Sequence, residues 1–139
     1  MKLRQFIALP RHERALLVSA WAMGVLCRLA LVVCPYERVR ALLMPAAALV
    51  PTRESPVQRI VWAVQTGLAR VPGAACLARA LVLEALLRAA GRKPEVCLGV
   101  ALAGRFRAHA WVELDGVPVL GAPQPGEYVR LMPVGVDPV

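Results

Sequence analysis

The fold is decided between residues 76 and 120, which read CLARALVLEALLRAAGRKPEVCLGVALAGRFRAHAWVELDGVPVL. The first part, Cys76–Ala90, has no Pro or Gly and is rich in Ala, Leu and Arg, so it predicts a helix that Gly91 ends. The hydrophobic period then changes from helical to alternating, which predicts three strands joined by short turns. Their expected bounds are Glu95–Ala103, Phe106–Leu114 and Val117–Leu120, with Asp115-Gly116 as a two-residue hairpin turn.

The residues before this stretch predict further helices. In chain order we expect a helix Ala15–Val33 ended by Cys34-Pro35, a short helix Tyr36–Met44 stopped by Pro45, a proline-rich connector Ala46–Pro56, and a helix from Ser55 to about Val71. In this last helix Ser55 is the expected N-cap and Pro56 the first helical residue. After the third strand, Tyr128–Met132 is a candidate edge strand.

Helices followed by an antiparallel sheet indicate an α+β fold. A chain of 139 residues suits a single domain, 1–139. We divide it into a helical amino-terminal portion, 1–54, and a core, 55–139, in which the Cys76 helix packs on the small antiparallel sheet.

Composition excludes several classes of protein. A hydrophobic content of 58% and a mean hydropathy of +0.57 exclude intrinsic disorder. Four cysteines without a C-x-x-C pair exclude a disulfide scaffold or a zinc finger, and two histidines with two Asp and no Asn leave few metal ligands. We therefore expect no metal and no cofactor, and no glycine-rich phosphate loop is present.

The net charge of +8 raises the question of nucleic-acid binding, and the apolar segment Ala15–Val33 raises that of membrane contact. The basic residues are spread along the chain and aromatics make up only 5%, so we expect no nucleic-acid interface. Ala15–Val33 is near the length of a spanning helix, but Arg28 in its interior favours a buried core helix. Contact with a membrane is the alternative.

Two residues of the deciding stretch point to nucleophilic chemistry. Cys76 lies at a helix start behind small residues, and a helix N-terminus stabilises a thiolate. Strand alternation places His109 on one face with Trp111 and Glu113, between two alanines that leave room around the ring. A Cys at a helix start and a His on a following strand can form a thiolate–imidazolium pair. A packing role for each residue is the alternative.

The same stretch resembles the lasso-peptide leader peptidases, small transglutaminase-like cysteine proteases of bacterial peptide-maturation clusters. The motifs that carry the resemblance are Cys76–Leu83, Leu86–Arg88 with Gly91, Leu98–Val100, Phe106–Glu113 and Asp115-Gly116. The match spans about Val71–Leu120, and the helices before it look similar too. The resemblance implies a papain/transglutaminase-like core and a Cys–His–Asp triad with Cys76 as nucleophile and His109 as base. It also implies removal of a leader peptide from a ribosomally made precursor.

The resemblance further implies partners and a location. The partners would be the precursor peptide, a separate leader-binding protein, as in split members of the family, and an ATP-using lasso cyclase. The location would be the bacterial cytoplasm, with membrane association as an alternative. The two rival functions are a catalytically inactive, membrane-associated adaptor of the same fold and a basic nucleic-acid-binding module.

The third catalytic group is where this chain departs from the family. The family's acid would fall near Gly121, where the sequence reads Gly121-Ala122-Pro123-Gln124. Counting back from the Asp115-Gly116 turn pairs His109 with Ala122 and puts Gln124 on the same face. Gln124 is thus the candidate that orients His109, with Glu127 as an alternative. If neither does, the site is a Cys–His dyad.

Overall fold

In the computed structural model, which describes residues 1–101 and 103–131, five helices precede a four-stranded sheet. The helices are α1 (Leu3–Ala8), α2 (Arg11–Val33), α3 (Tyr36–Ala48), α4 (Val57–Leu68) and α5 (Cys76–Ala89). The strands are β1 (Pro94–Ala101), β2 (Ala108–Leu114), β3 (Val117–Leu120) and β4 (Tyr128–Arg130). The fold is α+β, which confirms the predicted class. Two residues of the predicted strands, Leu102 and Met132, lie outside the described residues.

Three of the helices begin directly after a proline. Pro10, Pro35 and Pro56 are the N-caps of α2, α3 and α4, and each carbonyl accepts an N–H from the first turn, for instance that of Arg14 at 3.0 Å. Proline suits this place because the backbone N–H that it lacks has no partner at a helix start. The observed N-cap of α4 corrects the prediction of Ser55, which lies one residue earlier and donates its N–H to Thr52.

The third helix also corrects the expectation that Pro45 ends it, because α3 continues through Pro45 to Ala48. Leu43 and Ala47 lie one turn apart on either side of Pro45 and are both buried, so continuing the helix buries more apolar surface. A proline inside a helix removes the hydrogen bond to the carbonyl four residues earlier. That carbonyl belongs to Ala41, which is exposed, so water can satisfy it.

The sheet is antiparallel with strand order β3-β2-β1-β4. The predicted hairpin is confirmed, since Leu114 pairs with Val117 and the turn residues Asp115 and Gly116 have φ of 52° and 78°. A bulge follows, because Glu113 pairs with Pro118 but Val112 pairs with Leu120. The extra residue in β3 shifts the register, so counting back from the turn does not place His109 beside Ala122.

The core lies between the helices and one face of the sheet, with α5 at its centre. This helix packs against α2, α3 and α4 and against β1 and β2. Every residue from Ala80 to Leu87 is buried, which is more than the one broad stripe that the sequence predicts. A helix that is apolar all round belongs in the middle of a core. Its position fixes where Cys76, at its first turn, meets the sheet.

One carboxylate is buried inside this apolar helix. Glu84 is 1% exposed and accepts hydrogen bonds from Arg40 at 2.6–3.0 Å and from Arg88 at 3.2 Å. The bidentate Arg40 contact ties α3 to α5 and supplies the positive charge that a buried carboxylate needs.

Replacing Arg40 by Ala should therefore lower the free energy of unfolding by about 3 kcal/mol, because it leaves the Glu84 carboxylate buried and short of a partner. The double variant Arg40→Ala/Glu84→Leu should recover much of this loss, since an apolar replacement removes the buried charge. Urea denaturation measures both. Arg38→Ala, at an exposed position of the same helix, is the matched control. Equal stability of the Arg38 and Arg40 variants would contradict the prediction.

Candidate active site

Cys76 is the first residue of α5, and its sulfur lies against the edge of β2. The N–H of Ala110 donates to the Cys76 Sγ at 3.4 Å. The N-cap of α5 is Ala75, which provides no side-chain hydrogen bond, so the N–H groups of the first turn are left for other acceptors. A main-chain donor and a helix N-terminus both stabilise negative charge on sulfur. The predicted place of Cys76 at a helix start is thus observed.

His109 directly precedes Ala110 on β2, so the strand residue next to the sulfur contact carries the imidazole. The Nε2 of His109 lies 2.6 Å from the carbonyl oxygen of Gly121. A carbonyl can only accept, so in this hydrogen bond Nε2–H donates and Nδ1 is left as the unprotonated nitrogen of the neutral ring. The hydrogen-bond acceptor of His109 is therefore a main-chain carbonyl, at the position where the resemblance predicts an acid.

Gly121 can hold this position because it lacks a side chain. Its φ is +72°, a left-handed conformation that other residues rarely adopt. A Cβ built there would lie 3.2 Å from the carbonyl oxygen of Ala110 and 3.5 Å from the His109 Nε2. The chain therefore turns sharply after β3 and passes close beside the ring. Sequence reasoning located this position but did not identify the carbonyl as the acceptor.

Two aromatic rings fix the other side of the imidazole. His109 stacks with Trp111 at 6.1 Å between ring centroids and contacts Tyr128 at 5.3 Å with its ring tilted. The pairing of Trp111 with His109 on one face agrees with the predicted alternation. Gly99 on β1 makes room, since a Cβ there would come within 2.9 Å of the Trp111 ring and 3.0 Å of the Tyr128 Cβ.

Hydrogen bonds extend this support across the sheet. The Trp111 Nε1–H donates to Glu113 at 2.8 Å, and Arg130 on β4 pairs with both Glu113 and Glu95. Because these contacts join β1, β2 and β4, they hold the strand segment that carries His109. Neither Tyr128 nor Arg130 was singled out from the sequence, where only their place in an edge strand was predicted.

Gln124 lies in a turn with Glu127, and its role in orienting His109 stays a prediction. The Gln124 N–H donates to the Glu127 carboxylate at 3.1 Å, and the Glu127 N–H donates to the Gln124 carbonyl at 3.0 Å. Both residues thus close a tight turn before β4. Among the described residues, the acceptor of the His109 Nε2–H is the carbonyl of Gly121 rather than a group of Gln124 or Glu127.

Within the described residues no hydrogen bond joins the Cys76 Sγ to the His109 imidazole, and the two residues are linked through Ala110. Hydrogen bonds between a nucleophile and its base are often longer in a free enzyme and shorten when substrate binds. Residues 1–101 and 103–131 contain no cluster of His, Cys, Asp and Glu that could hold a metal ion. The local chemistry is that of a thiol, an imidazole and main-chain donors.

A described cavity lies away from this pair. It has a volume of about 660 Å³ and is lined by the first turns of α2 and α4, the connector 48–56 and Ala89 at the far end of α5. Neither Cys76 nor His109 borders it. The Cys76 sulfur and His109 instead lie at the amino-terminal half of β2, where both residues are partly exposed.

The sequence profile of the transglutaminase-like superfamily matches residues 20–133. This range runs from the middle of α2 to beyond β4 and contains both Cys76 and His109. No curated protein and no solved structure matches the chain.

Among the four thiols, Cys76 should react first with iodoacetamide at near-neutral pH. All four are free, but Cys27 and Cys97 are buried, and burial raises the pKa of each thiol to about 11. Few thiolates therefore form at those two sites below that pH, whereas Cys76 is partly exposed at a helix N-terminus. Cys34 is also partly exposed, but it lies at the carboxyl end of α2 and outside the first turn of α3.

Mass spectrometry of digests taken over time measures the labelling order. Protein unfolded in urea is the control, and all four cysteines should then label at similar rates. Similar rates in the folded protein would contradict the assignment of Cys76 as the reactive thiol.

Proposed function

Because the chain belongs to the transglutaminase-like superfamily, we propose that it is a cysteine peptidase that cleaves an amide bond with Cys76 and His109. The observation that carries this proposal is that the Cys76 sulfur contacts β2 at Ala110, the residue that follows His109. Cys76 Sγ receives the N–H of Ala110, and the preceding residue, His109, has its ring held by the Gly121 carbonyl at 2.6 Å. A nucleophile, a base and an orienting group are thus all present.

The chemistry divides into two steps. The His109 Nδ1 takes the proton of the Cys76 thiol, the thiolate attacks the carbonyl carbon of the scissile amide, and the C–N bond breaks as His109 gives that proton to the leaving amine. Water then attacks the thioester carbon while His109 removes a proton from it. The C–S bond breaks to release the carboxylic acid, and His109 returns the proton to the sulfur. With Nε2–H held by Gly121, the proton moves through Nδ1. The free N–H of Cys76 would stabilise the oxyanion of both tetrahedral intermediates.

The proposed substrate is the leader peptide of a ribosomally made lasso-peptide precursor. The support for it is the resemblance of Val71–Leu120 to leader peptidases of that class, together with the partial exposure of Cys76 and His109. An extended peptide can reach partly exposed groups at the surface, whereas a small molecule is usually enclosed by a pocket.

The proposed reaction also involves partners. A peptidase uses binding energy from remote parts of its substrate to orient the scissile bond. Within the described residues, α2 to α5 and strands β1 to β3 share one core, and none of these elements is set apart to grip a leader. We therefore propose that a separate leader-binding protein presents the precursor in the bacterial cytoplasm, and that a lasso cyclase uses the cleaved product.

Cleavage of the precursor encoded next to the gene tests this function. We expect slow cleavage by the chain alone and a kcat/KM higher by about tenfold or more when the leader-binding protein is added, because that protein supplies the missing substrate contacts. Cys76→Ala should abolish cleavage and leave the fold intact, since Ala is well tolerated at a helix start of small residues. Mass spectrometry of the products and circular dichroism of the variant measure both effects.

The outcomes separate the candidate functions. Absence of cleavage with the partner present would overturn the peptidase and favour the inactive adaptor. Full activity of the chain alone would overturn the need for a leader-binding protein while leaving the peptidase in place.

The orienting role of Gly121 gives a sharper prediction for the same assay. In Gly121→Ala the added Cβ and the strained φ should move the carbonyl from His109, so kcat should fall by about 10- to 100-fold with little change in KM. Gly116→Ala is the matched control, because Gly116 has φ of +78° but nothing within 4 Å of its built Cβ. Gln124→Ala should leave kcat unchanged. A large loss in Gln124→Ala and none in Gly121→Ala would restore Gln124 as the orienting residue.

A further inference from the structure

Helix α2 has two apolar faces, and the core uses only one. Leu16, Ala20, Met23 and Cys27 face the core and are buried. The opposite side carries an apolar strip on consecutive turns, formed by Ala15, Val18, Trp21, Ala22, Leu26, Leu29, Val32 and Val33. Toward the carboxyl end of α2 the strip residues are strongly exposed to solvent, at 64% for Leu29, 66% for Val32 and 80% for Val33. Over the most apolar 18 residues of α2, only 33% are buried.

The strip continues into a groove beside α1. The groove has a volume of about 470 Å³ and is lined mainly by apolar side chains from α1, α2 and the end of α4, among them Leu3, Phe6, Leu17 and Trp21. The polar side chains of Lys2 and Arg70 border the same groove. An apolar channel with cations at its border complements a molecule that has an apolar body and an anionic head.

The charge around the strip has one sign. Residues 1–33 contain five basic side chains, Lys2, Arg4, Arg11, Arg14 and Arg28, and one carboxylate, that of Glu13. Glu13 is paired with Arg59 of α4, so its charge is already neutralised. Arg11 and Arg14 lie on the exposed face of α2, at the amino end of the apolar strip. A surface that is apolar along a helix and basic at its end attracts an anionic, apolar partner.

From this arrangement we propose that the α1–α2 face binds the surface of an anionic phospholipid bilayer. The helix lies in the interface plane, with the strip in the acyl boundary and the Arg and Lys side chains at the phosphates. By length and composition α2 could cross a membrane, but its other face packs in the protein core, and crossing would expose Leu16, Ala20 and Met23. Helix α2 has 23 residues and is about 34 Å long, which suits contact along the surface. This inference does not depend on the proposed peptidase activity.

Vesicle co-sedimentation of the purified full chain tests the proposal. Vesicles of phosphatidylglycerol and phosphatidylcholine in equal parts should pellet the protein, vesicles of phosphatidylcholine alone should pellet far less, and added salt should weaken binding. Arg4→Gln/Arg11→Gln should weaken binding to the anionic vesicles by about tenfold or more. The matched control is Arg92→Gln/Arg105→Gln, which removes two exposed cations outside α1 and α2.

A second pair of variants tests the apolar strip. Val32→Glu should weaken vesicle binding by about tenfold or more, because it places a carboxylate against anionic lipid. Val117→Glu, on β3, changes the same residue type at a similar exposure of 62% and should have no effect. Circular dichroism checks that both variants fold.

Three results would overturn the proposal. The first is no pelleting with anionic vesicles, and the second is equal loss in the Val32 and Val117 variants. The third is absence of lipid binding together with a dimer, or a complex with the leader-binding protein, that Val32→Glu disrupts. That result would assign the strip to a second copy or to a protein partner.

Discussion

The burial of α5 on all sides is the constraint on which the rest of the structure depends. From Ala80 to Leu87 each side chain meets another element, so the helix can neither rotate nor slide without opening the core. This locks the start of the helix against β2 and sets Cys76 beside the N–H of Ala110. The charged residue in this segment, Glu84, forms ion pairs with Arg40 and Arg88. These ion pairs also help to hold the helix in place. A reactive thiol on a rigid element is better placed than one on a loop.

On the sheet, the position of the His109 ring depends on small residues rather than on large ones. Gly99 lets Trp111 and Tyr128 approach over β1, and Gly121 lets the chain pass within hydrogen-bond distance of His109. The imidazole is thus held by a carbonyl on one side and by two rings on the other. Restricting the ring in this way lowers the entropy that would otherwise be lost when it engages a substrate.

Periodicity predicts much of this arrangement, because the signals are local. The change from a helical to an alternating pattern after Gly91, and the Asp115-Gly116 turn, define α5 and the β2–β3 hairpin. The prediction fails where distant residues decide the outcome. Pro45 stays inside α3 because Ala47 is buried in the core, and the bulge opposite Val112 shifts the register that seemed to align His109 with Ala122. The acceptor for His109 is also beyond reach of side-chain reasoning, since any residue carries a main-chain carbonyl and only the backbone path brings that of Gly121 to the ring.

An acid and a carbonyl stabilise a histidine in different ways. A carboxylate both orients a histidine and stabilises its positive form, whereas a neutral carbonyl orients the ring but offers only a dipole to its charge. In the proposed pair of Cys76 and His109, the attraction that stabilises a thiolate and an imidazolium would come from the two ions themselves and from main-chain dipoles, at the α5 N-terminus and at Ala110. These contributions fall off steeply with distance and with access of water. A site built in this way depends more on close approach of sulfur and imidazole, and on exclusion of water by a bound peptide, than a site that carries its own buried acid.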